Sequence, residues 1–299
     1  MKINMKKMLC MVLAAVMIVS LLPAATVTSE AATKNEKTTM FAGETMDFYL
    51  FGTTITSVSS SNKKVVKAKR DSSAKYKALF TAKKKGSATV TIKSTGGTVK
   101  YKITVLDTTK SFDFYVAPIN KSTGADMLLK VKNKTKLNVS SIGVDYTLRD
   151  SNGNEIETAN TSVRGLAAKS TGYSSIYVST NNINLGVDLS KTTFIIKSIT
   201  RTNKTKNLKK KVTVKEKDAS FDGNTLNVTV SAKNKASVYA NVYITIIAKD
   251  AADNIIGFTN TGVYPKKDNG LETKIISVYL PRDTDTSSVS YSLSWTAVS

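Results

Sequence analysis

From Val99 to Val105 the chain alternates without a slip. Val99, Tyr101, Ile103 and Val105 fall on one side, and Lys100, Lys102 and Thr104 on the other. A period of two is that of a half-buried β-strand, whereas an amphipathic helix repeats its apolar residues every 3.6. The rhythm returns at the far end of the chain, where Val289, Tyr291, Leu293 and Trp295 interleave with Ser288, Ser290, Ser292 and Ser294. Between these points runs of Ser, Thr, Val, Ile and Tyr are punctuated by Asn, Asp and Gly. That is the pattern of short strands and tight turns. No segment after residue 31 has helical periodicity. The chain is therefore expected to be all-β, built of tandem β-sandwich modules, with Trp295 on the core side of its strand.

The first residues read differently. Lys2, Lys6 and Lys7 precede an apolar run from Met8 to Leu22, broken by Pro23 and followed by small residues up to Ala31. Basic, apolar and small-residue regions in that order predict a signal peptide over residues 1–31, cut after Ser29-Glu30-Ala31. The apolar run is shorter than the ~20 residues a spanning helix needs. Cys10 lies inside it, too early for a lipid-attachment box. No second apolar run follows, so no transmembrane span is expected.

Composition then removes whole classes of chemistry. The chain has one cysteine, Cys10, and no histidine. After cleavage there is no disulfide, no thiolate metal site, and no Ser-His-Asp or Cys-His nucleophile system. What survives is carboxylate-pair hydrolysis and oxygen-ligand calcium binding. The carboxylates Asp107, Asp113, Asp126, Asp145, Asp188, Glu216, Asp222, Asp253 and Asp285 are scattered beside turn residues, which argues against a paired site. Asp150-Ser151-Asn152-Gly153-Asn154-Glu155 has its glycine and glutamate out of step with a calcium loop and reads as a hairpin turn. The expectation is no catalytic residue, no metal and no cofactor.

Charge is the second strong feature. The chain carries 44 basic and 22 acidic residues, unevenly placed: 15 against 4 over residues 33–106, 18 against 8 over 107–215, and 8 against 9 over 216–299. Such a field attracts polyanions. Lysine far outnumbers arginine, which favours diffuse attraction over bidentate phosphate recognition. Outside a cell the matching polyanions are wall polymers, acidic glycans, anionic lipid and stray DNA. No nucleic-acid-reading element is found.

Over residues 33–106, expected strands are Met46–Leu50, Val65–Lys69, Lys77–Thr81, Ala88–Ile92 and Val99–Val105, with Gly43, Gly86 and Gly96-Gly97 at turns. The motif order Phe41-Ala42-Gly43-Glu44-Thr45, Ile55 to Asn62, Val65-Val66-Lys67-Ala68 and Lys85 to Ile92 resembles the bacterial Ig-like domain of group 2. Where that family usually carries a tryptophan, this chain has Val58 or Ser57. The resemblance implies a small Ig-like sandwich acting as a spacer or binding unit, without catalysis.

The rest of the chain repeats itself at an offset near 100 residues. Lys132-Asn133-Lys134 returns as Lys233-Asn234-Lys235, Asp150 and Ile156 as Asp250 and Ile256, and Asn160-Thr161 as Asn260-Thr261. Two copies of one β-module are expected, over residues 107–215 and 216–299, with the charged stretch Lys209–Ser220 as linker or the boundary at the end of a Val212–Val214 strand. Tyr146-Thr147-Leu148-Arg149-Asp150 resembles the FxLYD family, with Arg149 in place of its tyrosine. That resemblance implies an Ig-like extracellular sandwich.

Two sets of binding residues follow. Lys63, Lys64, Lys67, Lys69, Arg70, Lys83, Lys84, Lys85, Lys209, Lys210 and Lys211 are expected to hold an anionic polymer. Tyr243 and Tyr279, facing outward from strands of the third module, are expected to offer a sheet face to glycan. The chain is expected to be a monomer, secreted or held non-covalently at a bacterial surface. Anionic cell-wall polymer or extracellular glycan is the expected partner.

Overall fold

The computed structural model describes residues 33–120, 125–201 and 205–299. The expected signal peptide lies outside them. Among the described residues no helix is long and apolar enough to cross a membrane.

Three β-sandwiches follow one another. The first has strands β1 (Thr33–Phe41), β2 (Thr45–Tyr49), β3 (Ile55–Ser60), β4 (Val66–Arg70), β5 (Lys77–Ala82), β6 (Gly86–Ser94) and β7 (Gly97–Leu106). They form a four-stranded sheet ordered β1-β7-β6-β3 and a three-stranded sheet ordered β2-β5-β4. All pairings are antiparallel except β1 with β7, which is parallel. Two facing sheets of this connectivity are the Ig-like arrangement. Alternation decides which side chains meet: Met46, Phe48, Ala78, Phe80, Val90, Ile92, Ile103 and Val105 are buried between the sheets, and their neighbours point out. Each large apolar side chain so buried contributes about 1.5–3 kcal/mol.

The second sandwich has β8 (Phe112–Asn120), β9 (Ala125–Asn133), β10 (Val139–Arg149), β11 (Glu155–Leu166), β12 (Thr171–Val178) and β13 (Thr193–Thr200). Its sheets are ordered β12-β9-β8 and β11-β10-β13. The third has β14 (Val212–Asp222), β15 (Thr225–Asn234), β16 (Asn241–Lys249), β17 (Ile255–Val263), β18 (Gly270–Tyr279) and β19 (Ser290–Val298), ordered β14-β15-β18 and β17-β16-β19. Strand for strand the two topologies are the same, as the sequence repeat predicts.

The repeated residues show why the sequence recurs. Asn133 is fully buried, and its carboxamide nitrogen donates to the carbonyls of Leu137, Leu166 and Ala167 at 2.8, 3.1 and 3.1 Å. Asn234, also fully buried, donates to Val238 and Pro265 at 2.8 and 3.3 Å. In each copy one amide ties the strand end to two loops, satisfying carbonyls that burial would otherwise orphan. The turns repeat too. Asp150 accepts from the backbone and side-chain nitrogens of Asn154 at 2.8 and 2.9 Å, and Asp250 from those of Asn254 at 2.9 and 3.0 Å. The Asp150 loop is thus a hairpin turn, its carboxylate committed internally.

The stretch expected as a linker is not one. Leu208 and Val212 belong to the third core, and β14 runs through residues 212–222 with most of its side chains exposed. A break at 215/216 would cut this strand. Lys209, Lys210, Lys211 and Lys215 therefore go with the third sandwich, which is weakly basic rather than neutral.

Adjacent sandwiches are packed together. Phe41, at the end of β1, is fully buried in the second core, with its ring centroid 5.4 Å from that of Phe112. The outward face of β16 is covered: Thr245 is buried, and Asn260 donates both to its hydroxyl at 3.1 Å and to the carbonyl of Tyr173, in the second sandwich, at 3.3 Å.

Candidate polyanion-binding cleft

Five lysines of the first sandwich gather at the end that meets the second. Lys83, Lys84 and Lys85 form the β5–β6 turn, and the Lys83 backbone N–H donates to the Val65 carbonyl at 2.8 Å. Gly86 closes the turn at φ +149°, where an added Cβ would sit 2.9 Å from Val65 Cγ2. This close approach brings the turn beside Lys63 and Lys64, which immediately precede Val65. All five lysines are exposed, and none makes an ion pair among the described residues.

Lys85 also lines an open cleft of about 500 Å³ between the two sandwiches, together with Lys110, Lys134, Lys136 and Lys169. Thr39, Ser111 and Thr135 also line it, the Ser111 hydroxyl donating to the Asp107 carbonyl at 2.6 Å and the Thr135 hydroxyl to Asn133 Oδ1 at 2.8 Å. Lys134 is partnered with Asp113 at 2.5 Å, and Lys169 donates to the Lys134 carbonyl. Asp107 is the only carboxylate in the lining, and it is engaged. It caps the helical turn Thr108–Ser111 by accepting from the Thr109 hydroxyl and backbone N–H, which hold its pKa below the usual carboxylate range. Like charges around one concavity focus a positive potential into it. Lys110, Lys134, Lys136 and Lys169 are not among the residues the sequence singles out. Only the dense Lys132–Lys136 run, next to the repeated Asn133, hints at them.

The remaining basic candidates lie elsewhere. Lys67 and Lys69 point outward along β4, an edge strand, where lysine also discourages edge-to-edge pairing. The Arg70 guanidinium donates to the Ile55 carbonyl at 3.3 Å. Lys209, Lys210 and Lys211 are exposed ahead of β14, with the Lys209 ammonium 5.4 Å from the centre of the Trp295 ring.

The two tyrosines share no face. Tyr243 is on β16 and Tyr279 on β18, in opposite sheets of the third sandwich. Tyr279 is 76% exposed. Tyr243 is half-buried against the second sandwich and lines a groove of about 350 Å³ with Arg164, Tyr173, Phe258 and Asn260. Desolvation there raises its phenol pKa. Outward from its own sheet, Tyr243 is inward with respect to the pair of sandwiches, which strand periodicity alone does not reveal.

Most of the scattered carboxylates have structural partners. Asp188 and Asp285 cap short turns through Ser190 and Ser287, Asp145 pairs with Lys197, and Asp253 with Lys249. Glu216 accepts from the Tyr291 hydroxyl at 2.5 Å. No group of three or more potential metal ligands occurs among the described residues.

No family model and no curated protein matches the chain. Solved structures that match include the I9–I11 tandem from titin, at 11% identity over 89% of this chain and 95% of that one, with a TM-score of 0.22. Overlap that weak adds nothing to the strand order as a guide to fold. The group 2 Ig-like and FxLYD resemblances rest on the motifs quoted for them.

Proposed function

We propose that this is a non-catalytic interaction protein of the cell surface or secreted space, and that its first two sandwiches hold an anionic wall polymer in the cleft between them. The observation that carries this reading is the convergence of Lys85, Lys110, Lys134, Lys136 and Lys169 on one cleft, with Lys63, Lys64, Lys83 and Lys84 beside it. A flexible polyanion could run from cleft to rim without meeting an uncommitted carboxylate among the lining residues. The predicted signal peptide and the resemblance to bacterial Ig-like modules support an extracellular setting.

The test is binding of the mature chain to purified anionic wall polymer across a salt series, beside a variant with Lys85, Lys110, Lys136 and Lys169 changed to Gln. Expected are release by about 0.5 M salt, where the Debye length is roughly 4 Å, and a shallower salt dependence in the variant. Binding that persists unchanged at high salt, or is equal in the variant, overturns the reading.

A second reading is favoured by the groove between the second and third sandwiches. Tyr173, Tyr243 and Phe258 beside Arg164 and Asn260 offer apolar and hydrogen-bonding contacts to a neutral carbohydrate. It predicts salt-insensitive binding that is lost in Tyr243→Ala.

A further inference from the structure

Three aromatic side chains, two of them neighbours in sequence and the third some 25 residues on, meet at the opposite end of the first sandwich. Tyr49 ends β2, Phe51 stands in the turn after it, and Tyr76 precedes β5. The Tyr49 and Phe51 rings are nearly parallel, 4° apart, with centroids at 5.4 Å. Tyr76 leans on both, 5.5 Å from Phe51 and 6.3 Å from Tyr49. The ladder imposes the meeting, since Tyr49 pairs with Lys77 and the Leu50 N–H donates to the Tyr76 carbonyl at 2.9 Å.

None of the three belongs to the core of this sandwich. Phe51 is 75% exposed, Tyr49 45% and Tyr76 37%. Scattered exposed aromatics are ordinary, but contiguous apolar surface on a soluble module marks a contact site. The Tyr49 ring, on which Phe51 stacks, is also tied in place. The Tyr49 hydroxyl donates to Asp47 at 3.0 Å, and Lys77 bridges Asp47 and Asp71 at 3.0 and 3.1 Å while lying 5.9 Å from the Tyr49 ring centre. A rigid, backed ring with an open face loses little entropy when something stacks on it.

The surroundings indicate what stacks. Outward side chains of the β2-β5-β4 sheet lie in rows: Tyr49 and Lys77, then Asp47, Leu79 and Lys69, then Thr45, Thr81 and Lys67. Lys69 and Lys67 lead from the rings toward Lys63 and Lys64. Lys75 is exposed beside Tyr76. A ligand that fits presents an apolar ring face to Phe51 and negative charge at intervals to the lysines. An acidic polysaccharide has both, because the C–H face of a pyranose is apolar and its carboxylates are equatorial to it. A linear phosphate chain has only the charge.

We infer that the Tyr49–Phe51–Tyr76 cluster is a stacking site for the pyranose rings of an anionic polysaccharide, which the Lys69 and Lys67 row carries on toward the lysine-rich end. This rests on the polyanion reading above and narrows its ligand class.

The test measures binding of the mature chain to polygalacturonate, to its fully methyl-esterified neutral form, and to linear polyphosphate. Wild type is compared with Phe51→Ala, Phe51→Tyr and the pair Lys67→Gln/Lys69→Gln. Stacking on one aromatic ring is of the order that makes an affinity change of about tenfold. Expected is such a loss for polygalacturonate in Phe51→Ala, retention in Phe51→Tyr, weakening in the lysine pair, and unchanged polyphosphate binding in Phe51→Ala. Thermal unfolding should change little, since Phe51 lies outside the core and is mostly exposed. Polygalacturonate binding that is equal in wild type and Phe51→Ala overturns the inference, and retained polyphosphate binding in that case leaves the polyanion reading standing. Equal affinity for the neutral ester, or no binding of polygalacturonate at all, also overturns it. Loss of polyphosphate binding in wild type is instead a failure of the polyanion reading.

Discussion

Arg201, just past the last strand of the second sandwich, reaches into the first and closes on Glu44, with Nε 2.8 Å from Oε1 and Nη2 3.2 Å from Oε2. Both side chains are nearly inaccessible, 6% and 1% exposed. Glu44 also accepts from the Phe41 N–H at 2.8 Å, and the guanidinium lies 5.6 Å from the Phe41 ring centre and donates to the Thr39 carbonyl. Desolvation raises the Glu44 pKa above the usual carboxylate value, and Arg201 and the Phe41 N–H offset only part of that rise. The charge of one sandwich is thus neutralised by the next.

Arg201→Ala should therefore leave a buried carboxylate without its counter-charge. Losing one member of a buried pair costs about 3–5 kcal/mol. Denaturant unfolding of the mature chain should show a loss of that order for Arg201→Ala. The double variant Arg201→Ala/Glu44→Ala should cost less than the sum of the singles. Additive losses would mean that the two side chains are not coupled.

Asn133 and Asn234 should behave alike. Replacing either by Ala leaves several buried carbonyls without a donor, at about 1–3 kcal/mol. Asn133→Asp should cost more at neutral pH than Asn133→Ala, because it sets a carboxylate against the oxygens of Leu137, Leu166 and Ala167. Unfolding of each variant by circular dichroism checks both expectations.

Acid should loosen the first sandwich through Asp71. Its carboxylate accepts from the Ser73 hydroxyl and N–H at 2.6 and 2.8 Å and pairs with Lys77. These contacts lower its pKa from 3.8 to about 2. The unfolded chain regains this proton first as pH falls, so the contribution is present above pH 3.8 and is lost on the way down to about 2. Melting temperatures should fall through that window in the wild type, and less steeply in Asp71→Asn.

Gly165 sits at φ +68° where the second and third sandwiches touch, and a Cβ there would fall 2.3 Å from Tyr243 Cδ2. Gly165→Ala should push the two sandwiches apart, on top of the strain of a left-handed backbone. Small-angle scattering should report a longer particle, with polyanion binding by the first two sandwiches retained.

Strand alternation made much of this fold legible. The five strands expected over residues 33–106 appear within a few residues of their expected ends, and the repeat is matched by identical topology. Two strands escaped. β1 is almost wholly polar, and its place comes from a parallel ladder with β7, about 65 residues away in the chain. β3 buries fully only Ile55 of its six residues. The charged stretch at 209–220 read as a linker because an edge strand needs few buried residues, so β14 carries its lysines and acids without cost. The proposed binding surfaces were the least legible. Lys85 was singled out, but the cleft it shares with Lys110, Lys136 and Lys169 exists only once two sandwiches are docked. Tyr76 joins Tyr49 and Phe51 only through the β2–β5 register.

The parallel pairing of β1 with β7 has a mechanical consequence. If the chain is pulled from its start and from beyond Leu106, the two strands are drawn in opposite directions along their length. The ladder from Thr33↔Thr98 to Phe41↔Leu106 is then loaded in shear, so its bonds must give way together rather than unzip one at a time. With Phe41 anchored in the second core, tension reaches that ladder through a fixed end. A protein that grips a polymer on one side and is tugged on the other would resist extension at its first sandwich.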